Sequence, residues 1–89
     1  MDIQEILIAA GSICNSHIRP DDVAYVLKGR EKLCFGPATT EDGDRVEGWD
    51  ATEYWYGQGE EDIEHYWHEF RYTYAETDDQ MITLAARYA

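Results

Sequence analysis

Basic residues are scarce in this chain, and their distribution is uneven. Seven lysines and arginines stand against nineteen aspartates and glutamates in 89 residues, and only Arg45 and Arg71 fall between residues 41 and 80. So few cations leave little with which to hold phosphate, which disfavours direct binding to nucleic acid or to an anionic membrane. Long apolar runs are missing as well. Ile6 to Ala10 is far shorter than the roughly 20 residues that span a bilayer, and Met1-Asp2-Ile3-Gln4-Glu5 lacks the basic stretch of a secretory leader. The expectation is a soluble, cytoplasmic protein. Cysteine is limited to Cys14 and Cys34, too few for a disulfide framework. Both follow apolar neighbours, as reduced core cysteines do.

The chain is also short of the constellations that carry chemistry. No glycine motif that cradles phosphate is present, and the loop Glu41-Asp42-Gly43-Asp44 lacks the ligand spacing and closing glutamate of a calcium-binding EF-hand. Ser12, Cys14, Ser16 and His17 offer nucleophiles without a supporting base and orienting group. His65 and His68 with Glu61, Glu64 and Glu69 match no zinc spacing, and Cys14, His17 and Cys34 supply only three ligands. The expectation is a protein that is not an enzyme and uses no metal or other cofactor.

What is abundant lies in one window. Residues 41 to 80 hold fourteen of the nineteen carboxylates against two basic residues, so this stretch carries the whole net charge of −12. Nine of the twelve aromatics lie there too, interleaved with the acids, whereas a disordered acidic tail would be poor in aromatics. A folded surface that concentrates one sign of charge repels itself, so it is explained by what it attracts. Carboxylates about 5 to 7 Å apart on a helix or strand can imitate a row of phosphates. The partner-binding acids are therefore expected to be Asp42, Asp44, Glu47, Asp50, Glu53, Glu60, Glu61, Asp62, Glu64 and Glu69. Trp49, between Glu47-Gly48 and Asp50, is expected to be an exposed anchor among them, as aromatic hot spots inside charged rims are.

Patterning predicts one domain over residues 1 to 89. Ile3, Ile6, Leu7, Ala10 and Cys14 recur at helical spacing after Asp2, with Glu5 in the capping-box position, which predicts a helix over residues 3 to 14. Pro20-Asp21-Asp22 reads as the start of a second helix with Val23, Val26 and Leu27 on its apolar face and Gly29 as its stop. Trp49 to Tyr56 reads as a strand. Glu60 to Tyr74 fits both periods; strand is preferred for Phe70 to Ala75, pairing through a turn with Met81 to Arg87. The competitor is a terminal helix from Asp79, with Thr77 and Gln80 as its capping box. The predicted fold is α+β, two N-terminal helices packed on a small antiparallel sheet from the C-terminal half, with a mostly α fold as the alternative.

In length, net charge and the acid and aromatic content of residues 41 to 80, the chain resembles the small acidic inhibitors of phages and mobile elements. That class includes anti-CRISPR proteins, anti-restriction DNA mimics and inhibitors of uracil-DNA glycosylase. Length and composition imply a chain that folds as a monomer or small homo-oligomer, and the resemblance implies work in the host cytoplasm. It implies binding to a basic protein surface of a nuclease or defence complex, blocking access of nucleic acid. Two other readings stay open: an immunity protein of a toxin nuclease, and a structural or adaptor module whose acids only aid solubility.

Overall fold

The computed structural model describes residues 1–59 and 64–89. Asp2 accepts from the Glu5 N–H at 2.8 Å and the Glu5 carboxylate accepts from the Asp2 N–H at 3.0 Å, so the expected capping box starts helix α1, Ile3–Ala10. The helix stops four residues earlier than its apolar period suggests. Gly11 takes φ 74 and returns its N–H to the carbonyls of Ile8 and Leu7, the left-handed cap that glycine adopts at least cost. Cys14 consequently leaves the helix for a short 3-10 turn, Ile13–Asn15, and is exposed rather than buried.

The five strands that follow are β1 Ser16–Ile18, β2 Ala24–Lys28, β3 Glu31–Thr39, β4 Arg45–Gln58 and β5 His65–Ala75, and the chain closes with helix α2, Asp78–Ala86. They form one antiparallel meander in sequence order. The predicted fold is overturned. One helix comes from each end of the chain, the sheet reaches back to residue 16, and neither two consecutive N-terminal helices nor a mostly α fold is present among the described residues.

Two stretches account for the difference. Pro20, Asp21 and Asp22 build the β1–β2 turn, with Asp22 N–H on the Arg19 carbonyl at 3.1 Å, Arg19 N–H on the Val23 carbonyl at 2.8 Å, and Asp22 at φ 64. Proline and aspartate suit that turn as well as they suit a helix start. Ala24 to Lys28 then pairs with Phe35 back to Glu31 across a two-residue loop in which Gly29 takes φ 59. Met81 to Arg87, expected as a strand, instead follows the competing reading. Thr77 caps α2 by accepting from the Gln80 N–H at 3.2 Å, and Met81, Leu84, Ala85 and Tyr88 reach the core at helical spacing. The strand readings of 49–56 and 70–75 hold, within longer strands.

Both helices contribute to one core on one face of the sheet. Ile3, Ile6, Leu7 and Ala10 of α1 meet Met81, Leu84 and Ala85 of α2 above Val26, Leu33, Phe35, Trp49, Ala51 and Ala75. Each fully buried Leu or Ile there stabilises the fold by about 1.5–3 kcal/mol. β4 and β5, of 14 and 11 residues, are the longest strands of the sheet. The other face of the sheet stays open, because a strand alternates and both helices lie on one side. Among the described residues, the β1–β2 turn leans on it, with the Asp22 carbonyl and Val23 against Gly36.

Candidate protein-docking face

The open face is paved with aromatic rings. Tyr25 of β2, Tyr54 and Tyr56 of β4, and Trp67, Tyr72 and Tyr74 of β5 alternate toward it around Lys32 of β3, as the cross-strand register dictates. Tyr72 is 58 % exposed, Tyr74 45 % and Tyr56 38 %, an aromatic exposure of the kind that marks an interaction site. Several rings are held in place. The Tyr72 hydroxyl donates to the Asp50 carboxylate, that of Tyr74 to the Glu47 carbonyl, and Arg19 Nη1 donates to Tyr25 at 3.0 Å. The ring centroids of Tyr56 and Trp67 stand 5.2 Å apart at a 59° tilt. The hydrogen bond to Asp50 pushes the Tyr72 phenol above its ordinary range, since ionising it would set two negative charges together; burial does the same to Tyr54.

The predicted site residues are dispersed. Asp50 and Glu69 belong to the open face, opposite Tyr74 and Tyr54. Asp42 and Asp44 are exposed in the β3–β4 turn, Glu47 is exposed at the start of β4, and Glu64 is exposed just before β5, toward the other end of the hairpin. Glu60, Glu61 and Asp62 lie outside the described residues. The placed acids thus fringe both ends of the hairpin and do not form a single row.

Two of the predicted contact residues are not at the surface. Trp49 is 2 % exposed, with its ring edge-on to Phe35 at 5.9 Å and Nε1 donating to Asp78 at 2.9 Å. That bond, with the N-terminal ammonium 3.0 Å away, holds the Asp78 carboxyl below its usual range. Glu53 is buried on the helix-covered face, where it accepts from the Tyr88 hydroxyl at 2.8 Å and lies 3.5 Å from Arg71 Nη1. Burial and then the bond to Glu53 push the Tyr88 phenol well above its ordinary range. Trp49, Ala51 and Glu53 share a face because they are two residues apart, and Ala51 pairs with Phe35 in the core.

No cluster of three or more histidine, cysteine, aspartate or glutamate side chains is placed to hold a metal ion among the described residues. His65 and His68 point to opposite sides of β5, and the His68 ring stacks on Trp55 at 4.3 Å. Cys14 and Cys34 are both free, Cys34 half-buried beneath the open face, where burial raises its thiol. No described helix is long and apolar enough to cross a membrane. Sequence reasoning missed Tyr25, Lys32, Tyr54, Trp67, Tyr72 and Tyr74 as site residues. The available signal was the two-residue spacing of Tyr54 with Tyr56 and of Tyr72 with Tyr74, which puts each pair on one side of a strand. Comparison with protein-family models, with curated proteins and with solved structures finds no match to this chain.

Proposed function

We propose that this chain is a non-enzymatic inhibitor that docks its open aromatic sheet face on a basic surface of a nucleic-acid-binding protein and so keeps nucleic acid off that surface. The observation that carries the proposal is one uncovered face bearing Tyr56, Tyr72 and Tyr74 at 38 to 58 % exposure, in a molecule of net charge −12. The division of labour follows from the chemistry. Buried aromatic anchors supply most of the retained affinity, while surrounding charge speeds encounter and sets orientation. Asp50 and Glu69 border the rings, and Asp42, Asp44, Glu47 and Glu64 supply the outlying field. A surface basic enough to select this chain is the kind that binds phosphate, and occupying it excludes the polyanion.

The test starts by capturing partners with tagged protein and assaying each for nucleic-acid binding with and without the chain bound. The expected partner loses its DNA or RNA when the chain is added, and its association rate falls about tenfold or more as salt screens the encounter. Replacing Tyr56 and Tyr72 together by alanine should abolish the inhibition while the fold persists by circular dichroism. A partner that keeps its nucleic acid in the complex, or an association rate flat in salt, overturns the proposal.

A further inference from the structure

Lys32 stands in the middle strand of the sheet, on the open face. Its ammonium lies 4.6 Å from the Trp67 ring centroid, 4.8 Å from that of Tyr54 and 5.5 Å from that of Tyr25. All three fall within the roughly 6 Å over which a ring face attracts a cation. The rings come from three different strands, and the register explains their convergence. Tyr54 is directly opposite Lys32, Tyr25 pairs with Cys34 two residues along β3, and Trp67 pairs with Tyr56 two residues along β4. Diagonal neighbours at that spacing are within reach of aromatic side chains.

This lysine makes no ion pair among the described residues, in a chain with nineteen carboxylates, whereas Arg19 pairs with Asp21 and Arg71 with Glu53. Aromatic faces hold its ammonium instead. Two of the three walls are braced from outside, Tyr25 through its hydroxyl by Arg19 at 3.0 Å, and Trp67 by the ring of Tyr56. The cage is therefore preorganised for an alkylammonium, and its present occupant belongs to the chain itself.

We infer that Tyr25, Tyr54 and Trp67 form a receptor for a lysine ammonium of the basic partner, and that Lys32 is its built-in competitor. This rests on the docking role of the open face. An incoming lysine ammonium is chemically identical to the group it displaces, so the rings lose nothing in the exchange. The displaced Lys32 is left on an acidic surface, with Glu69 across from Tyr54 as a carboxylate to meet. Until exchange occurs, Lys32 lowers the apparent affinity by the fraction of time it fills the cage.

Small probes test the cage without any partner. Tetramethylammonium chloride, with tert-butanol as a neutral control of similar size, is titrated into the wild type, Lys32→Ala and Lys32→Thr while the Trp67 indole and tyrosine ring resonances are followed by NMR. The lysine variants should bind tetramethylammonium saturably and about tenfold more tightly than the wild type, as expected if Lys32 fills the cage about nine-tenths of the time. Adding Tyr54→Leu or Trp67→Leu should abolish that binding, and tert-butanol should not reproduce it. In the wild type, ring currents should displace the Lys32 ε-methylene resonances, and tetramethylammonium should move them back toward ordinary lysine positions. This last measurement needs no variant to fold. Equal binding by the wild type and both lysine variants, equal binding of the alcohol, or immobile Lys32 resonances overturns the inference. A cage that binds tetramethylammonium in a protein with no basic partner would instead sink the docking role while leaving the cage. A partner bound equally well by Tyr54→Leu and Trp67→Leu would sink the cage while leaving the docking role.

Discussion

Trp49 and Trp55 are six residues apart on one strand, yet their environments differ completely. Trp49 is 2 % exposed in the core and Trp55 is 40 % exposed beside His68. Trp49→Ala should therefore cost about 3–5 kcal/mol of stability through the cavity it leaves. Trp55→Ala should cost under about 1 kcal/mol. Urea unfolding of both variants checks this, and similar losses would contradict the burial of Trp49. Tyr88 gives a second test at this scale. Its folded phenol titrates above the ordinary value of about 10, because ionising it would bury a charge beside Glu53. The resulting stability is present in full below pH about 10 and declines above it, where the unfolded chain ionises Tyr88 and the folded one resists. Tyr88→Phe should lower stability throughout but flatten the decline between about pH 10 and 11, read as the urea midpoint at each pH. An unchanged slope would mean that this phenol is not held neutral by burial.

At the scale of elements, the β4–β5 hairpin organises the molecule, and its geometry depends on a few backbone positions. Gly48 takes φ 102 just before Trp49 enters the core, and a methyl group there would lie 2.7 Å from the Tyr74 hydroxyl and 2.8 Å from the Ala75 carbonyl. Both the positive φ and the contacts oppose any side chain. Gly48→Ala should cost on the order of 1–3 kcal/mol and should release the Tyr74 ring from the Glu47 carbonyl, visible in its NMR shifts. Full stability in this variant would show that the strand can re-form without its left-handed residue. Farther along the same pair, the register shifts between Glu53 and Tyr54, where Phe70 of β5 is the extra residue. A bulge of this kind bends the strand and increases its twist, which blunts β5 as an exposed edge. The long hairpin thus presents its ring face more readily than its edge.

For the whole molecule, charge opposes folding, whereas the proposed docking on a basic surface would draw on it. Three ion pairs are present among the described residues, against a net charge of −12, so repulsion dominates the fold. Raising salt from about 10 mM to about 0.3 M shortens the screening length from about 30 Å to well under 10 Å. The melting temperature should therefore rise with salt while association with a basic partner slows. A melting temperature that falls over this range would mean that favourable pairs outweigh repulsion.

Local chemistry alone was enough to read part of this protein. Asp2 and Glu5 marked the first helix, Thr77 and Gln80 marked a competing last one, and the strand character of 49–56 and 70–75 was visible in their aromatic and β-branched content. The charge imbalance is a property of composition that no fold could alter. Pro20-Asp21-Asp22 was not decidable locally, because proline and acids serve a helix start and a β-turn equally, and only pairing of β2 with β3 selects the turn. The fate of Trp49 and Glu53 was hidden for a different reason. Alternation separates two faces of a strand but does not say which one the helices will cover. That choice was made when α1 and α2, from opposite ends of the chain, packed over Val26, Leu33, Phe35 and Ala51, burying Trp49 and Glu53 and leaving Tyr25, Tyr54, Trp67, Tyr72 and Tyr74 around Lys32 on the side they left bare.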